Sequence, residues 1–150
     1  MKPIRTTLFV LSVFIMLAVL LSACGPKATP GPVTLTIKGM VNNELQLTDS
    51  DLHGMTVVTL NLEHPKNGAA EYTGVRLNDL LNEAGVKSGA TTMTLTASDG
   101  FASDIDLATV QACADCLIAF DASTPGVYSS AMPGQSGKLW VKGLVSIELK

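Results

Sequence analysis

The sequence predicts a single α+β domain in which short strands outnumber helices. Several short runs alternate apolar and polar side chains or are rich in valine and threonine, which is typical of β-strands. Only the segment 75–85 carries apolar residues at the i, i+3, i+4 and i+7 spacing of an amphipathic helix. Non-local strands with few helices favour an α+β fold that is mainly β.

The first half of the domain contains three predicted strands, a helical turn and the one clear helix. Cap-type residues before an apolar position predict one helical turn at 48–52. In 75–85 the leucines form the buried face, and Gly85 follows the last turn, where glycine is preferred. The segment 64–68 is predicted to be a loop from its proline and glycine. The predicted strands are 33–38, 44–47 and 55–63.

The second half is predicted to continue the sheet with one further short helix at 107–113. The segment 121–138 is rich in proline, glycine and serine and is predicted to be a long loop. The predicted strands are 91–97, 101–106, 117–120, 139–142 and 145–149.

The first residues resemble the signal sequence of bacterial lipoproteins. Lys2 and Arg5 form a positive start, and residues 8–21 form an apolar stretch that is short for a permanent membrane span. The motif Leu-Ser-Ala-Cys at 21–24 is similar to the lipobox, in which the cysteine thiol is diacylated, for example with palmitate, and the chain is cut just before it. The resemblance implies that Cys24 carries a lipid anchor.

This resemblance divides the chain into a signal peptide at 1–23, a Pro- and Gly-rich tether at 24–32 and a domain at 33–150. It implies attachment to the extracytoplasmic face of a bacterial membrane. An envelope protein or a redox partner is a further candidate to bind this protein there. Loss of Lys2 and Arg5 with the signal leaves 8 basic against 13 acidic residues, a net charge of −5. An acidic chain without a basic cluster is not expected to bind nucleic acid.

Cys113 and Cys116 are separated by two residues, and three roles are open to them. A structural disulfide is favoured, because exported proteins lie in an oxidising compartment. Two buried free thiols are the second alternative. Redox or metal chemistry is the third, but zinc needs about four ligands, and His53 and His64 are not spaced as a pair. A thioredoxin-like motif would lie at a helix N-terminus, whereas this pair straddles the end of the predicted helix 107–113.

Five short segments form an ordered pattern along the domain. They are Ile37-Lys-Gly, Tyr72 to Gly85, Ala97-Ser-Asp-Gly-Phe with Ile105-Asp-Leu, Leu117-Ile-Ala-Phe, and Met132-Pro-Gly with Trp140 to Leu149. Together they resemble the oxidoreductase molybdopterin-binding domain, the pterin-binding core of sulfite oxidases and their bacterial relatives. The second segment is similar to the family's W-x-G-V-x-L-x-D-L-L-x-x-A-G motif. The resemblance implies the sulfite-oxidase-type fold with short helices and, in family enzymes, a molybdenum cofactor.

The sequence departs from this family at the positions that carry its chemistry. A family cysteine on the strand before the helix binds molybdenum, and the matching residue here is Leu62, which has no donor atom. Phe101 takes the place of an active-site tyrosine and lacks its hydroxyl. Lys66 alone remains of a basic pair that meets the cofactor phosphate. Lys142 keeps the lysine of a V-K-W motif, whose tryptophan position is Gly143.

Six residues are candidates for cofactor or ligand binding in the cleft that the resemblance implies. They are His64, Lys66, Asp99, Phe101, Trp140 and Lys142. Each also has a purely structural interpretation, as part of a solvated loop or as an edge of the core. No catalytic residue, metal ligand or cofactor is assigned, although the resemblance leaves molybdopterin open. The sequence favours a lipoprotein whose degenerate domain binds a small ligand or a protein; the alternative is an oxidoreductase, or a subunit of one, that still binds the cofactor.

Overall fold

The structure, a computed structural model, describes residues 31–150. The predicted signal peptide, Cys24 and residues 24–30 of the predicted tether lie outside the described residues. No helix between residues 31 and 150 has the length and apolar character needed to cross a membrane.

Nine strands and three short α-helices make up this part of the chain. The strands are β1 (Val33–Gly39), β2 (Leu45–Thr48), β3 (Val57–His64), β4 (Gly68–Arg76), β5 (Thr92–Ala97), β6 (Ala102–Asp106), β7 (Leu117–Phe120), β8 (Tyr128–Ala131) and β9 (Leu144–Leu149). The helices are α1 (Asp49–Gly54), α2 (Leu77–Ala84) and α3 (Leu107–Gln111), and a 3-10 turn covers Gly137–Leu139.

The strands form two sheets that share one hydrophobic core. The first has the order β2-β1-β9-β5-β6, in which only β1 and β9 are parallel. The second has the order β3-β4-β7-β8 and is antiparallel throughout. Buried apolar residues from both sheets and all three helices belong to a single cluster. This mainly β arrangement with short helices is the fold class that the sequence predicts.

Three segments differ from their predictions in the type of structure they form. Residues 68–76 form β4 although Gly, Ala and Glu have low strand propensity, because a hairpin pairs every residue of β3 with this segment. Strand β8 lies within the predicted loop 121–138, where pairing with β7 overrides a serine-rich sequence. Residues 139–142, predicted as a strand, begin in the 3-10 turn and form only the isolated bridge Ser129↔Lys142.

Helix α2 covers the core with the face that the sequence predicts. Its buried residues are Leu77, Leu80, Leu81 and Ala84. Gly85 follows in the left-handed conformation, with φ 66°, and its N–H donates to the carbonyl of Leu81. Glycine adopts this conformation without steric cost. The helix begins two residues later than predicted because Val75 and Arg76 belong to β4.

Gly74 allows the backbones of β4 and β7 to approach more closely than a side chain would permit. A Cβ atom at this position would lie 2.8 Å from both the carbonyl carbon of Ile118 and the Cα atom of Ala119. Both are backbone atoms of β7, so they cannot turn aside as the end of a side chain would. The Tyr72-Thr-Gly-Val motif therefore requires glycine at this position, because any side chain would collide with the backbone of β7.

A partly buried hydrogen-bond network joins the two sheets. The hydroxyl of Tyr128, on β8, donates to Oδ1 of Asp49 at 2.7 Å and lies 3.0 Å from Oγ1 of Thr34, on β1. Tyr128 is 1% exposed. Burial is the main reason that the pKa of Tyr128 is raised to about 12, and Asp49 also raises it. The folded state therefore favours the neutral, protonated form of this hydroxyl.

Cys113 and Cys116 form a disulfide, with their Cα atoms 5.5 Å apart. The bridge closes the turn between α3 and β7. The guanidinium of Arg76 holds the same turn, because its Nη1 donates to the carbonyl of Ala114 and pairs with Oδ1 of Asp115 at 3.1 Å. In this structure the two cysteines act as a staple within a hydrogen-bonded turn.

Replacing Gly74 by alanine is expected to lower the free energy of unfolding by about 3 kcal/mol, because the new Cβ forces β4 away from β7. Urea unfolding followed by circular dichroism measures the loss. Gly54→Ala is the matched control: nothing lies within 4 Å of a Cβ there, so stability should change by less than about 1 kcal/mol. Equal losses in the two variants would contradict the close approach at Gly74.

Stability is also expected to fall in alkali through Tyr128. Its pKa in the folded protein is about 12, above the ordinary 10.0, so its contribution is complete below pH 10 and is lost as pH rises to 12. The loss amounts to at most about 3 kcal/mol. Urea unfolding at each pH should show a smaller decline over this range in Tyr128→Phe than in the wild type or in Tyr72→Phe. Parallel declines in all three proteins would refute this role.

Candidate functional site

A cleft opens where β4 and β7 stop pairing. The strands pair only over residues 74–76 of β4, and before Gly74 strand β4 continues with β3 alone. Residues 71–73 of β4 and 120–122 at the end of β7 line the space between the diverging strands. The cleft has a volume of about 360 Å³, within the range of small-molecule sites. Its lining includes His64, Glu71, Tyr72, Asp121, Trp140 and Lys142.

Aromatic rings form much of the wall. The ring of Trp140 contacts those of His64 and Tyr72, with centroids 4.7 and 5.3 Å apart. Phe120 lines the same cleft, and its ring stacks on His53 at 4.2 Å. Of the five Phe, Tyr and Trp residues in the described part of the chain, three line this cleft. Trp140 belongs to the core cluster, and Tyr72 and Phe120 pack against that cluster, so this wall is the edge of the core.

Ser130 fixes the backbone that carries Trp140. Its buried hydroxyl donates to the carbonyl of Leu139 at 2.7 Å and accepts from the N–H of Val141 at 2.8 Å. Trp140 is thus held on both sides, and it is 8% exposed. Its indole Nε1–H is buried and has no hydrogen-bond partner among the described residues. An unpaired buried donor of this kind costs about 1–3 kcal/mol.

Three charged side chains line the cleft, the carboxylates of Glu71 and Asp121 and the ammonium of Lys142. All three residues are exposed, and none forms an ion pair within residues 31–150. Oδ1 of Asp121 accepts hydrogen bonds from the N–H groups of Ser123 and Thr124, at 2.8 and 2.9 Å, and so orders the loop after β7. The three side chains together carry one excess negative charge.

The structure brings His64, Trp140 and Lys142 of the six candidate residues into this cleft. Nδ1 of His64 accepts hydrogen bonds from the N–H groups of Lys66 and Asn67, at 3.1 and 3.2 Å. This nitrogen stabilises the β3–β4 turn and is not free to bind a metal. Lys66 is exposed in that turn and does not line the cleft.

Asp99 and Phe101 lie in a different place, the turn between β5 and β6. Oδ1 of Asp99 accepts a hydrogen bond from the N–H of Phe101 at 2.9 Å, which stabilises the turn. Phe101 is 47% exposed. Neither residue lines the cleft, and their role in ligand binding stays a prediction.

The sequence analysis did not select Glu71, Tyr72 and Asp121 as site residues. Tyr72 occupies the aromatic position of the W-x-G-V motif, which is the one signal that points to it. Glu71 and Asp121 line one cleft because two antiparallel strands diverge there. No spacing in the sequence indicates where a strand pair ends, so these two carboxylates become visible only in the fold.

A comparison with protein families shows to which family this chain belongs. The model of the oxidoreductase molybdopterin binding domain matches residues 24–124, about two thirds of the chain. The chain belongs to this family. The resemblance and the fold class predicted from the sequence are therefore confirmed. Trp140 and Lys142 lie beyond the matched residues of this molybdopterin-binding-domain protein.

Solved structures agree with the family assignment. The chain matches 28 chains of known structure. One is the crystal structure of the sulfane dehydrogenase SoxCD from Paracoccus pantotrophus, with a TM-score of 0.65 and 22% identity over 77% of this chain and 37% of that chain. At this identity the likeness concerns the fold, and the chain spans little more than a third of that chain's length. No curated protein matches this family member.

The residues of this member do not fit the molybdenum–pterin cofactor of the family. Leu62, at the position that the resemblance assigns to the metal-binding cysteine, is 6% exposed and packs in the core. Its hydrocarbon side chain offers no donor. Cys113 and Cys116 are bonded to each other and do not line the cleft. Within the described residues no three His, Cys, Asp or Glu side chains are grouped to hold a metal.

Replacing Ser130 by alanine is expected to lower the free energy of unfolding by about 2 kcal/mol, because two buried backbone groups lose their partner. The emission of Trp140, the single tryptophan, should also shift to longer wavelength as the indole becomes more solvated. Ser129→Ala is the control, since this hydroxyl forms no hydrogen bond within residues 31–150, and it should change both measurements little. Unchanged emission and stability in Ser130→Ala would count against the role of this hydroxyl.

Proposed function

We propose that this protein is a lipoprotein held at the extracytoplasmic face of a bacterial membrane through Cys24. Its molybdopterin-binding-type domain serves as a binding module and not as a molybdenum enzyme. The burial of Leu62 in the core, at the position of the metal ligand, carries the second part of the proposal. The side chain of Leu62 has no donor atom and is buried, so a small movement of the strand would not supply a metal ligand there. The fold therefore persists without the group that would hold the metal.

The cleft favours a small ligand as the partner of this module. It combines a volume of about 360 Å³, an aromatic wall and the unpaired charges of Glu71 and Lys142. Concave sites with apolar walls and a few convergent polar groups are typical of small-molecule binding. A protein partner would also have to enter this concave space between two strands, and an envelope protein remains the second candidate.

The lipid anchor predicts that Cys24→Ser carries no acyl chain, because the thiol that would be acylated is absent; each buried CH₂ of such a chain contributes about 0.8 kcal/mol to membrane binding. Cells grown with labelled palmitate and separated into membrane and soluble fractions test this expectation. The wild type should carry label in the membrane fraction, and Cys24→Ser should carry none. The double variant Cys113→Ser/Cys116→Ser is the control and should keep both label and location. Label on Cys24→Ser would contradict the anchor.

The binding-module proposal predicts that the protein folds independently of the molybdenum cofactor. A ligand that binds only the folded state raises the Tm. The protein exported from a strain that cannot make the cofactor should therefore have the same Tm, by calorimetry, as the protein from a producing strain. A family enzyme that keeps the cysteine is the positive control and should lose stability in the deficient strain. A lower Tm for this chain in that strain would support the oxidoreductase alternative.

A further inference from the structure

We propose that one end of the five-stranded sheet contacts the lipid bilayer that holds the anchor and inserts apolar side chains into it. This contact presupposes the anchored lipoprotein proposed above, and it adds the surface by which the domain meets the membrane. The observation that leads to it is the small set of large apolar side chains that are exposed in the described part of the chain. They are Val33, Phe101, Val57 and Val145, with exposed fractions of 50, 47, 39 and 39%.

Three of these four residues lie at the same end of the sheet. Strands β1 and β9 are parallel, with Thr36 opposite Ser146, so Val33 and Val145 lie near the starts of two neighbouring strands. Strand β5 is antiparallel to β9 and ends where β9 begins, and the turn after β5 carries Phe101. Three strand spacings separate β1 from β6, so the three residues fall within about 15 Å across the strands. We call them the apolar end.

The backbone holds these side chains outside the core. Val145 is the extra residue of a β-bulge, because Leu144 and Ser146 pair with consecutive residues of β5. The N–H of Phe101 donates to Oδ1 of Asp99 at 2.9 Å, and its carbonyl accepts from the last residue of β5 at 2.8 Å. None of the three residues of the apolar end belongs to the hydrophobic core cluster. A fixed backbone therefore presents apolar surface that the domain itself does not bury.

The length of chain between Cys24 and Val33 indicates which end of the sheet meets the membrane. Val33 is the ninth residue after Cys24, so the two lie at most about 30 Å apart. Strand β1 has seven residues and is about 20 Å long, so contact through its far end would hold Val33 about that far from the bilayer. Bridging this distance would use most of the available length and restrict the backbone. Contact through the apolar end requires no such extension, and the anchor makes even a weak contact effective.

The charges at this end indicate apolar insertion as the source of the contact. Asp99 is the one charged residue of the turn between β5 and β6, and the first three residues of β1 and of β9 carry no charge. Helix α1, which begins beside Val33, adds the carboxylates of Asp49 and Asp51, and both accept hydrogen bonds from hydroxyl groups of the domain. These described segments contain no lysine or arginine, so attraction to anionic lipid does not drive the contact. A bilayer of phosphatidylcholine is therefore sufficient.

Quenching of tryptophan emission by brominated lipid tests the contact. The lipidated protein is reconstituted in vesicles of phosphatidylcholine brominated on its acyl chains, and the wild type, with Trp140 alone, supplies the background. Phe101→Trp places a reporter at the apolar end. Lys87→Trp is the matched control, because Lys87 is exposed and its N–H donates to the carbonyl of Met40, beyond the far end of β1. Apolar groups at an interface insert to the acyl boundary, so Phe101→Trp should add at least about threefold more quenching than Lys87→Trp.

Removal of the phenyl ring tests whether it drives the insertion. Val145→Trp places a second reporter at the apolar end. Adding Phe101→Ser should reduce the quenching of this reporter at least about threefold, because transfer of the ring from water to hydrocarbon is lost. Adding Phe101→Leu, which keeps an apolar side chain, should preserve most of the quenching. Adding Val57→Ser is the control, since Val57 is an exposed valine of the other sheet, and it should change nothing.

Three results would overturn the proposal. The first is quenching of Phe101→Trp no greater than that of Lys87→Trp, which would leave a protein partner as the occupant of the apolar end. The second is quenching of Val145→Trp that Phe101→Ser leaves unchanged. The third is quenching that appears only with anionic lipid. Failure of the anchor is distinguishable from all three, because a chain without palmitate at Cys24 lacks the anchor, whereas a labelled but unquenched chain lacks only this contact.

Discussion

The contact of two backbones at Gly74 is the constraint on which the rest of this structure depends. On one side of it the four-stranded sheet is complete, and β7 contributes buried residues to the common core. On the other side β4 and β7 separate and leave the cleft. Helix α2 begins three residues later, at Leu77. One glycine therefore links the sheet, the helix that covers it and the candidate site.

The polar groups of the domain divide into those that are satisfied internally and those that are not. Asp104 accepts a hydrogen bond from Thr94 at 2.6 Å, and Asp106 caps α3 through the N–H of Ala108 at 2.8 Å. The indole N–H of Trp140, by contrast, is buried and has no partner among the described residues. Folded proteins seldom leave buried donors unpaired, so this group differs from the structural hydrogen-bond networks elsewhere in the domain.

Local patterns in the sequence predicted the helices and most strands because those patterns reflect burial. The leucines of α2 and the glycine after it are examples, since period and capping are both local properties. Strands β4 and β8 were missed because partners fixed by the topology stabilise them against weak propensity. The same limit explains the site. Lys142 was selected through the family's V-K-W motif and Trp140 as the single tryptophan, whereas Glu71 joined them only because two strands diverge.

The loss of the metal ligand is the central claim of this account, because the proposed binding role depends on it. Molybdenum and pterin analysis of the protein purified from a host that makes the cofactor tests it most directly. The burial of Leu62, a residue without a donor atom, at the position of the metal ligand predicts that neither molybdenum nor pterin copurifies with the chain. About one molybdenum and one pterin per chain would contradict the claim and make this protein a cofactor-binding oxidoreductase component.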